Sequence, residues 1–323
     1  MPAVLEVQNL RTEFRMRHSS VVAVDDISFT VGQGECVGIV GESGCGKSTT
    51  GLSIMRLLPN NGHVIGGSIT LQGRDLATLD EKEMRQVRGD EVALIPQDPM
   101  TSLNPTMTIG KQIAEGVLLH RDVTKAQARQ RALEVLTLVD MPRPAERLDQ
   151  YPHELSGGLR QRVMIAMALA CNPALLIADE PTTALDVTIQ TQILELMLRV
   201  KDKRKDAAIL LITHNLGVVA ETCNRVIVMY GGKIQEVAPV KELFRNPQHP
   251  YTRGLLASLP TVDGERQRRL TTIPGNVPSI LDLPIGCKFE TRCSERLERC
   301  ALIEPDLIES SPGHWVRCHL VNP

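Results

Sequence analysis

The eight residues Gly41-Glu42-Ser43-Gly44-Cys45-Gly46-Lys47-Ser48 satisfy the spacing G-x-x-x-x-G-K-[ST]. Glycines at those positions let successive backbone N–H groups converge on phosphate oxygens, and a helix starting beyond them adds partial positive charge. Lys47 can then bridge the β- and γ-phosphates and the Ser48 hydroxyl can ligate Mg²⁺, with Thr49 next in the same turn. A strand before the motif and a helix after it argue against an ordinary glycine turn. A second group, Leu175-Leu176-Ile177-Ala178-Asp179-Glu180, is an apolar run ending in two carboxylates. Asp179 can hold the metal shell while Glu180 polarises an attacking water. A third, Ser156-Gly157-Gly158, opens a helical stretch; taken alone, Ser156 reads more simply as a helix N-cap. The fourth is Cys287, Cys293, Cys300 and Cys318. Four thiolates on one segment suit a metal, yet the spacing lacks the close pairs of structural zinc sites and the common ferredoxin spacings, so it names no metal. Ordinary buried thiols and disulfides are the alternatives, the latter disfavoured in a reducing compartment.

These groups need a scaffold, and short apolar runs alternating with helical patterns supply one of the α/β class. Strands are expected at Cys36–Val40, Val92–Ile95, Ala174–Ala178, Ala208–Thr213 and Arg225–Tyr230, with a helix over Lys47–Leu58 and another over Val163–Ala170. Ala132, Leu133, Leu136 and Val139 repeat at helical period inside a mostly helical segment from about Thr108 to Cys171, which reads as an insertion into the sheet domain. From Pro247 onward prolines break every candidate helix, marking a separate C-terminal extension, and the cysteine segment within it has few apolar residues to form its own core.

Composition narrows the function classes. The 323 residues are 42% hydrophobic, carry 36 Lys and Arg against 38 Asp and Glu, and include one Trp, three Tyr and four Phe. An aliphatic core follows, and with little to stack on bases and no basic excess, direct nucleic-acid binding is disfavoured. The longest strongly apolar stretch, Val163 to Cys171, is about half a membrane span, and no charged-then-apolar leader opens the chain, so a cytoplasmic location is expected.

The phosphate loop paired with Leu155-Ser156-Gly157-Gly158-Leu159-Arg160 resembles the ABC (ATP-binding cassette) ATPase family over residues 5 to about 245. The resemblance implies a P-loop NTPase fold: an ABC nucleotide-binding domain over 1–246, with a RecA-like core, an antiparallel β subdomain and a helical subdomain at about 108–171, then a Cys-rich extension over 247–323. It implies that Gln97 is the Q-loop glutamine sensing Mg²⁺ and the transmembrane partner, that Asp186 in Ala184-Leu185-Asp186 is the D-loop aspartate, and that His214 is the switch histidine on the γ-phosphate. Ser156, Gly157 and Gly158 would cover the ATP of a facing subunit. Two departures stand out. Arg160 replaces the usual Gln, and no aromatic residue occupies the adenine-stacking position, where His18 lies nearest and Val21 competes.

Pro96-Gln97-Asp98-Pro99 to Pro105, Tyr151-Pro152-His153-Glu154 and His249-Pro250-Tyr251-Thr252 resemble the oligopeptide/dipeptide importer ATPases, a group that includes some nickel importers, and the D-type more than the F-type. Repair-type cassettes carry a long coiled coil between loop and signature, translation-type proteins two cassettes, and exporters a fused membrane domain; this sequence has none of these. The resemblance therefore implies the ATP-hydrolysing subunit of a bacterial binding-protein-dependent importer, peripheral on the cytoplasmic face of the inner membrane. Its partners would be a second ATPase subunit, a paralogue, with two transmembrane permeases, whose coupling helix would dock by the Pro99–Pro105 turn, and an extracytoplasmic solute-binding protein. Import of nickel or another small solute, and a soluble non-transport ATPase, are the alternatives. For the tail the resemblance implies a [4Fe-4S] cluster on the four cysteines, with zinc as the alternative. His314 and His319 are substitute ligands or, more plainly, solvated histidines. Lying outside every nucleotide motif, the tail is expected to leave ATP binding untouched.

Overall fold

A computed structural model of the chain describes residues 2–98, 102–181, 187–203, 206–259 and 272–321. Its backbone divides into two compact units, one of residues 1–5, 31–35 and 71–210 and the other of residues 6–30, 36–70 and 211–323.

The second unit contains the strand that delivers the phosphate loop. Strand β3 (Cys36–Val40) is buried at every residue, which its run of small and β-branched side chains permits. It pairs in parallel with β9 (Arg225–Tyr230), Val37 opposite Arg225 through Val40 opposite Val228. Gly231 and Gly232, with φ of 56° and 79°, turn β9 back antiparallel into β10 (Lys233–Pro239). Beyond β10 the sheet takes β12 (His314–Val316) and then β11 (Ile308–Ser311). A separate sheet runs in the order β2 (Ser20–Gly32), β1 (Ala3–Arg15), β4 (Gly62–Leu71), β5 (Arg74–Asp75), and β2 alternates buried and open residues along much of its length. Helices α1 (Lys47–Met55), α8 (Leu216–Thr222), α9 (Val240–Arg245) and α10 (Pro250–Ala257) complete this unit.

In the first unit β6 (Val92–Ile95) pairs in parallel with β7 (Leu175–Asp179), from Val92 opposite Leu175 to Ile95 opposite Ala178. Helix α2 (Glu81–Val87) starts at a reciprocal cap between Asp80 and Glu83, and α4 (Lys125–Leu138) at one between Thr124 and Gln127. Ala128, Ala132, Val135 and Leu136 form the buried stripe of α4, which packs on α3 (Ile109–His120) and α6 (Gly157–Leu169). The short α5 (Pro144–Arg147) links α4 to α6, and α7 (Val187–Lys203) follows β7. Strand β8 (Ala208–Ile212), buried throughout, begins in the first unit and ends in the second.

The tail departs from expectation in two respects. Its prolines do not break every helix: Pro250 sits at the first position of α10, where a missing N–H costs nothing, and the His249 Nδ1 caps the turn by accepting from the Tyr251 amide at 3.0 Å. The cysteine segment, without a core of its own, shares one with the sheet. Cys287, Phe289 and Cys300 join Val228, Tyr230, Leu243 and Tyr251 in one buried cluster, where the rings of Tyr230, Tyr251 and Phe289 meet at 4.7–5.3 Å. Finally, the two tail histidines are buried rather than solvated. His314 Nε2 lies 2.7 Å from Glu236 Oε1 with both side chains fully buried, and His319 Nε2 bonds the Ile303 carbonyl.

The Glu236 carboxylate also accepts from the Gln248 and His249 amides. Removing one partner of such a buried pair strands the other, so His314→Ala should cost about 3 kcal/mol, measured by urea unfolding. The same change at exposed His153 should stay within about 0.5 kcal/mol. Equal effects would remove the pair from its structural role.

Candidate functional site

The phosphate-loop motif stands between β3 and α1. Gly41 has φ 154°, and a Cβ there would lie 2.2 Å from the Met229 carbonyl oxygen and 2.7 Å from Cys45 Sγ, so the loop leaves β3 pressed against β9. Gly44 and Gly46 also have positive φ, and a Cβ on Gly46 would meet the Ala23 carbonyl oxygen at 2.6 Å. Gly46 is the N-cap of α1 and no side chain caps that helix end. Lys47 is buried and folds over its own loop, its Nζ donating to the Gly41 and Glu42 carbonyls at 2.8 and 3.0 Å. Phosphate oxygens could take over those bonds. Burial pushes the Cys45 thiol up despite the adjacent lysine charge, so it stays neutral beside Lys47. His214 follows β8 and is exposed, just before Asn215, whose side chain caps α8. His18 is exposed in the turn between β1 and β2, while Val21 is buried.

In the first unit the β6–β7 register does the positioning. Because Ile95 lies opposite Ala178, Gln97 and Glu180, each two residues beyond that pair and past the strand ends, emerge side by side. Gln97 Nε2 donates to Glu180 Oε2 at 2.9 Å. Glu180 has φ 45°, a left-handed conformation that costs a non-glycine residue about 1 kcal/mol or more and clusters at functional positions. Asp179, half-buried, ends β7 one residue earlier. Ser156 has N-cap backbone geometry at α6, yet its exposed hydroxyl makes no capping bond, and the space beside Gly157 is open. The plain N-cap reading of that serine therefore accounts for its backbone and not for its side chain. Arg160 turns back to donate to the Pro152 carbonyl at 2.8 Å. Asp186 lies outside the described residues, as do residues 99–101 of the Pro99–Pro105 turn.

The four tail cysteines line a single cavity of about 10 Å³ together with His249 and His319. Burial raises the Cys287 thiol to about 12, and the neighbouring Cys300, Cys318 and Cys293 add to it. Cys293 and Cys318 are raised mainly by burial as well. Among the described residues no three His, Cys, Asp or Glu side chains stand ready as a metal site. Sequence reasoning missed two residues that reach the loop, Tyr251 and Arg292. The Glu42 amide donates to Tyr251 Oη at 2.9 Å, and the Glu42 carboxylate receives both terminal nitrogens of Arg292, at 2.5 and 3.1 Å. The His249–Thr252 motif was the available signal for Tyr251; nothing local marks Arg292.

A family model for the ABC transporter matches residues 24–183, and one for the oligopeptide/dipeptide transporter C-terminal region matches residues 235–300. The oligopeptide transport ATP-binding protein AppD of Bacillus subtilis (strain 168) is 51% identical over 323 residues, covering 99% of this chain and 97% of that protein. The chain belongs to the ABC transporter ATPase family. The dipeptide transport ATP-binding protein DppD of the same organism is 50% identical, covering 99% of this ABC ATPase and 95% of the relative. A bacterial ABC transporter cassette solved as a dimer matches with a TM-score of 0.66 at 26% identity, covering 73% of this chain and 98% of its own. ATP binding and an ABC ATPase fold follow from membership. No helix among the described residues is long and apolar enough to cross a membrane.

The loop's fit against β9 sets a stability test. Gly41→Ala combines a strained φ with a contact to backbone that cannot yield, and should cost at least about 2 kcal/mol in urea unfolding. Gly157→Ala, with nothing within 4 Å of the added Cβ, should change stability by less than about 0.5 kcal/mol. A Gly41→Ala protein as stable as its parent would mean that the loop does not need this approach.

Proposed function

We propose that this chain is the ATP-hydrolysing subunit of a bacterial importer for dipeptides or oligopeptides, peripheral on the cytoplasmic face of the inner membrane. The observation that carries the reading is the half-identity to relatives named for oligopeptide and dipeptide transport, running over nearly the whole length of both chains. Its partners are a second ATPase subunit, a paralogue on the D-type reading, with two permeases and a solute-binding protein. The nucleotide-binding domain takes residues 1–246 and the extension 247–323.

Within that reading each site residue has a task. Gly41–Thr49 cradle the phosphates, Lys47 neutralises them, and Ser48, Gln97 and Asp179 complete the Mg²⁺ shell. His18 lies by the adenine. Ser156, Gly157 and Gly158 donate to the nucleotide held by the facing subunit, a role supported by an exposed serine hydroxyl with no capping bond of its own. Asp186 and His214 follow the closure and the γ-phosphate. Glu180 accepts the proton of the attacking water, and the Gln97 amide fixes which carboxylate oxygen is turned away from that task.

Glu180→Gln tests this in the assembled transporter. ATP binding should persist because Lys47, Ser48 and the loop amides are untouched, while turnover falls at least about a hundredfold, the scale of a positioned base. Near-parental hydrolysis would remove Glu180 from the role, and hydrolysis indifferent to permeases and peptide would sink the importer assignment.

In the tail the four thiols line one cavity, although among the described residues no three donors stand together as a metal site, so the reading is supported by their shared lining alone. The resemblance favours a [4Fe-4S] cluster, with a single zinc ion as the alternative. Either group would need the thiols as thiolates and would clip the segment together. Anaerobic purification should give about four iron and four sulfide per chain with broad charge-transfer absorption, and Cys293→Ser should abolish both. One equivalent of zinc in a colourless protein would select the single ion; metal-free protein with an equally protected tail would overturn both.

A further inference from the structure

The segment that carries the cysteines also grips the phosphate loop. Glu42, the loop's second residue, is held through its amide by Tyr251 Oη and through its carboxylate by the Arg292 fork. The Arg292 side chain is 4% exposed and that of Glu42 26%, so the pair is shielded on one side and wet on the other. Arg292 is itself fixed. Its Nε donates to the Pro274 carbonyl at 3.0 Å, its Nη1 reaches Tyr230 Oη at 3.5 Å, and its guanidinium carbon lies about 6 Å from the ring centres of Tyr230 and Phe289. Arg292 immediately precedes Cys293. Tyr251 sits two residues after His249, which lines the cysteine cavity. Every one of these residues belongs to the second unit.

We propose that Tyr251 and Arg292 are positioning residues for the phosphate loop, and that through them the C-terminal extension sets how tightly the loop holds a nucleotide's polyphosphate. The proposal rests on Gly41–Ser48 being that loop. Two effects act in the same direction. Pinning Glu42 at amide and carboxylate orders the first turn of the loop in advance, so binding does not have to fix it. The guanidinium also cancels a carboxylate that would otherwise stand bare on a loop built to receive negative charge, and a bidentate, largely desolvated fork does so better than a single ammonium contact in water. Neither residue has to touch the nucleotide. Whatever loosens residues 287–293 reaches the loop through Arg292, so the independence of tail and nucleotide motifs expected from their separation in sequence gives way to coupling.

The test is equilibrium binding of ATP with Mg²⁺ to the full chain, alongside thermal melting and hydrogen exchange of the loop amides. Arg292→Gln should weaken ATP about tenfold, the effect of losing one charge-assisted contact, and Arg292→Lys, which keeps the charge but not the fork, should recover part of it. Tyr251→Phe keeps the packed ring and removes only the oxygen; it should weaken ATP about threefold and accelerate exchange of the Glu42 amide. Arg292→Gln and Tyr251→Phe both within about twofold of the parent, with unchanged exchange at Glu42, would overturn the proposal, as would a lysine variant no better than the glutamine one. Lys47→Ala should lose ATP outright. If it binds as the parent does, the loop assignment itself falls, and the proposal with it.

Discussion

Phosphate loops work by presenting main-chain amides, and main-chain amides point where the backbone is forced to go. Here the force is steric: Gly41 lies so close to the Met229 carbonyl that no side chain fits between them. Much of the second unit maintains that approach. The parallel pairing of β3 with β9 fixes the distance, the Gly231–Gly232 turn carries β9 away before it can crowd the loop, and the Gly232 amide ties back to the Cys45 carbonyl. The lysine needs no other anchor than the loop's own carbonyls. A loop held this tightly by its frame has little entropy left to lose on binding.

The first unit solves a different problem with the same economy. Gln97 and Glu180 are neighbours although 83 residues separate them in sequence. A parallel strand pair in register brings them out together, and the left-handed backbone at Glu180 aims the carboxylate. Strain at that residue is affordable because β7 is buried along nearly its whole length and cannot relax.

Motifs made of consecutive residues were legible in the sequence, since spacing alone specifies them: the glycines and lysine of residues 41–48, and the apolar run into Asp179 and Glu180. Strands of continuous apolar residues, Cys36–Val40 and Val92–Ile95, were legible for the same reason. Contacts made at long range were not. Glu42 and Arg292 are 250 positions apart and neither type is unusual where it stands. The prolines after residue 247 read as helix breakers, but one of them starts a helix, because a proline's effect depends on whether its missing N–H would have had a partner. Tail histidines looked solvated because their partners, Glu236 and the Ile303 carbonyl, are identified only by the fold.

The pairing of β12 with β10 carries one further consequence. Glu236 and Val237 on β10 face Val316 and Trp315 from nearly the end of the chain, and the outermost strand, Ile308–Ser311, is short and mostly polar. Without the tail, β10 would be the sheet's margin, its outward amides and carbonyls unpaired and Glu236 opened to water. Margins of that kind can recruit other chains, and the tail strands cover this one. A cassette cut near residue 246 would keep every nucleotide motif and still be prone to aggregate through its own sheet.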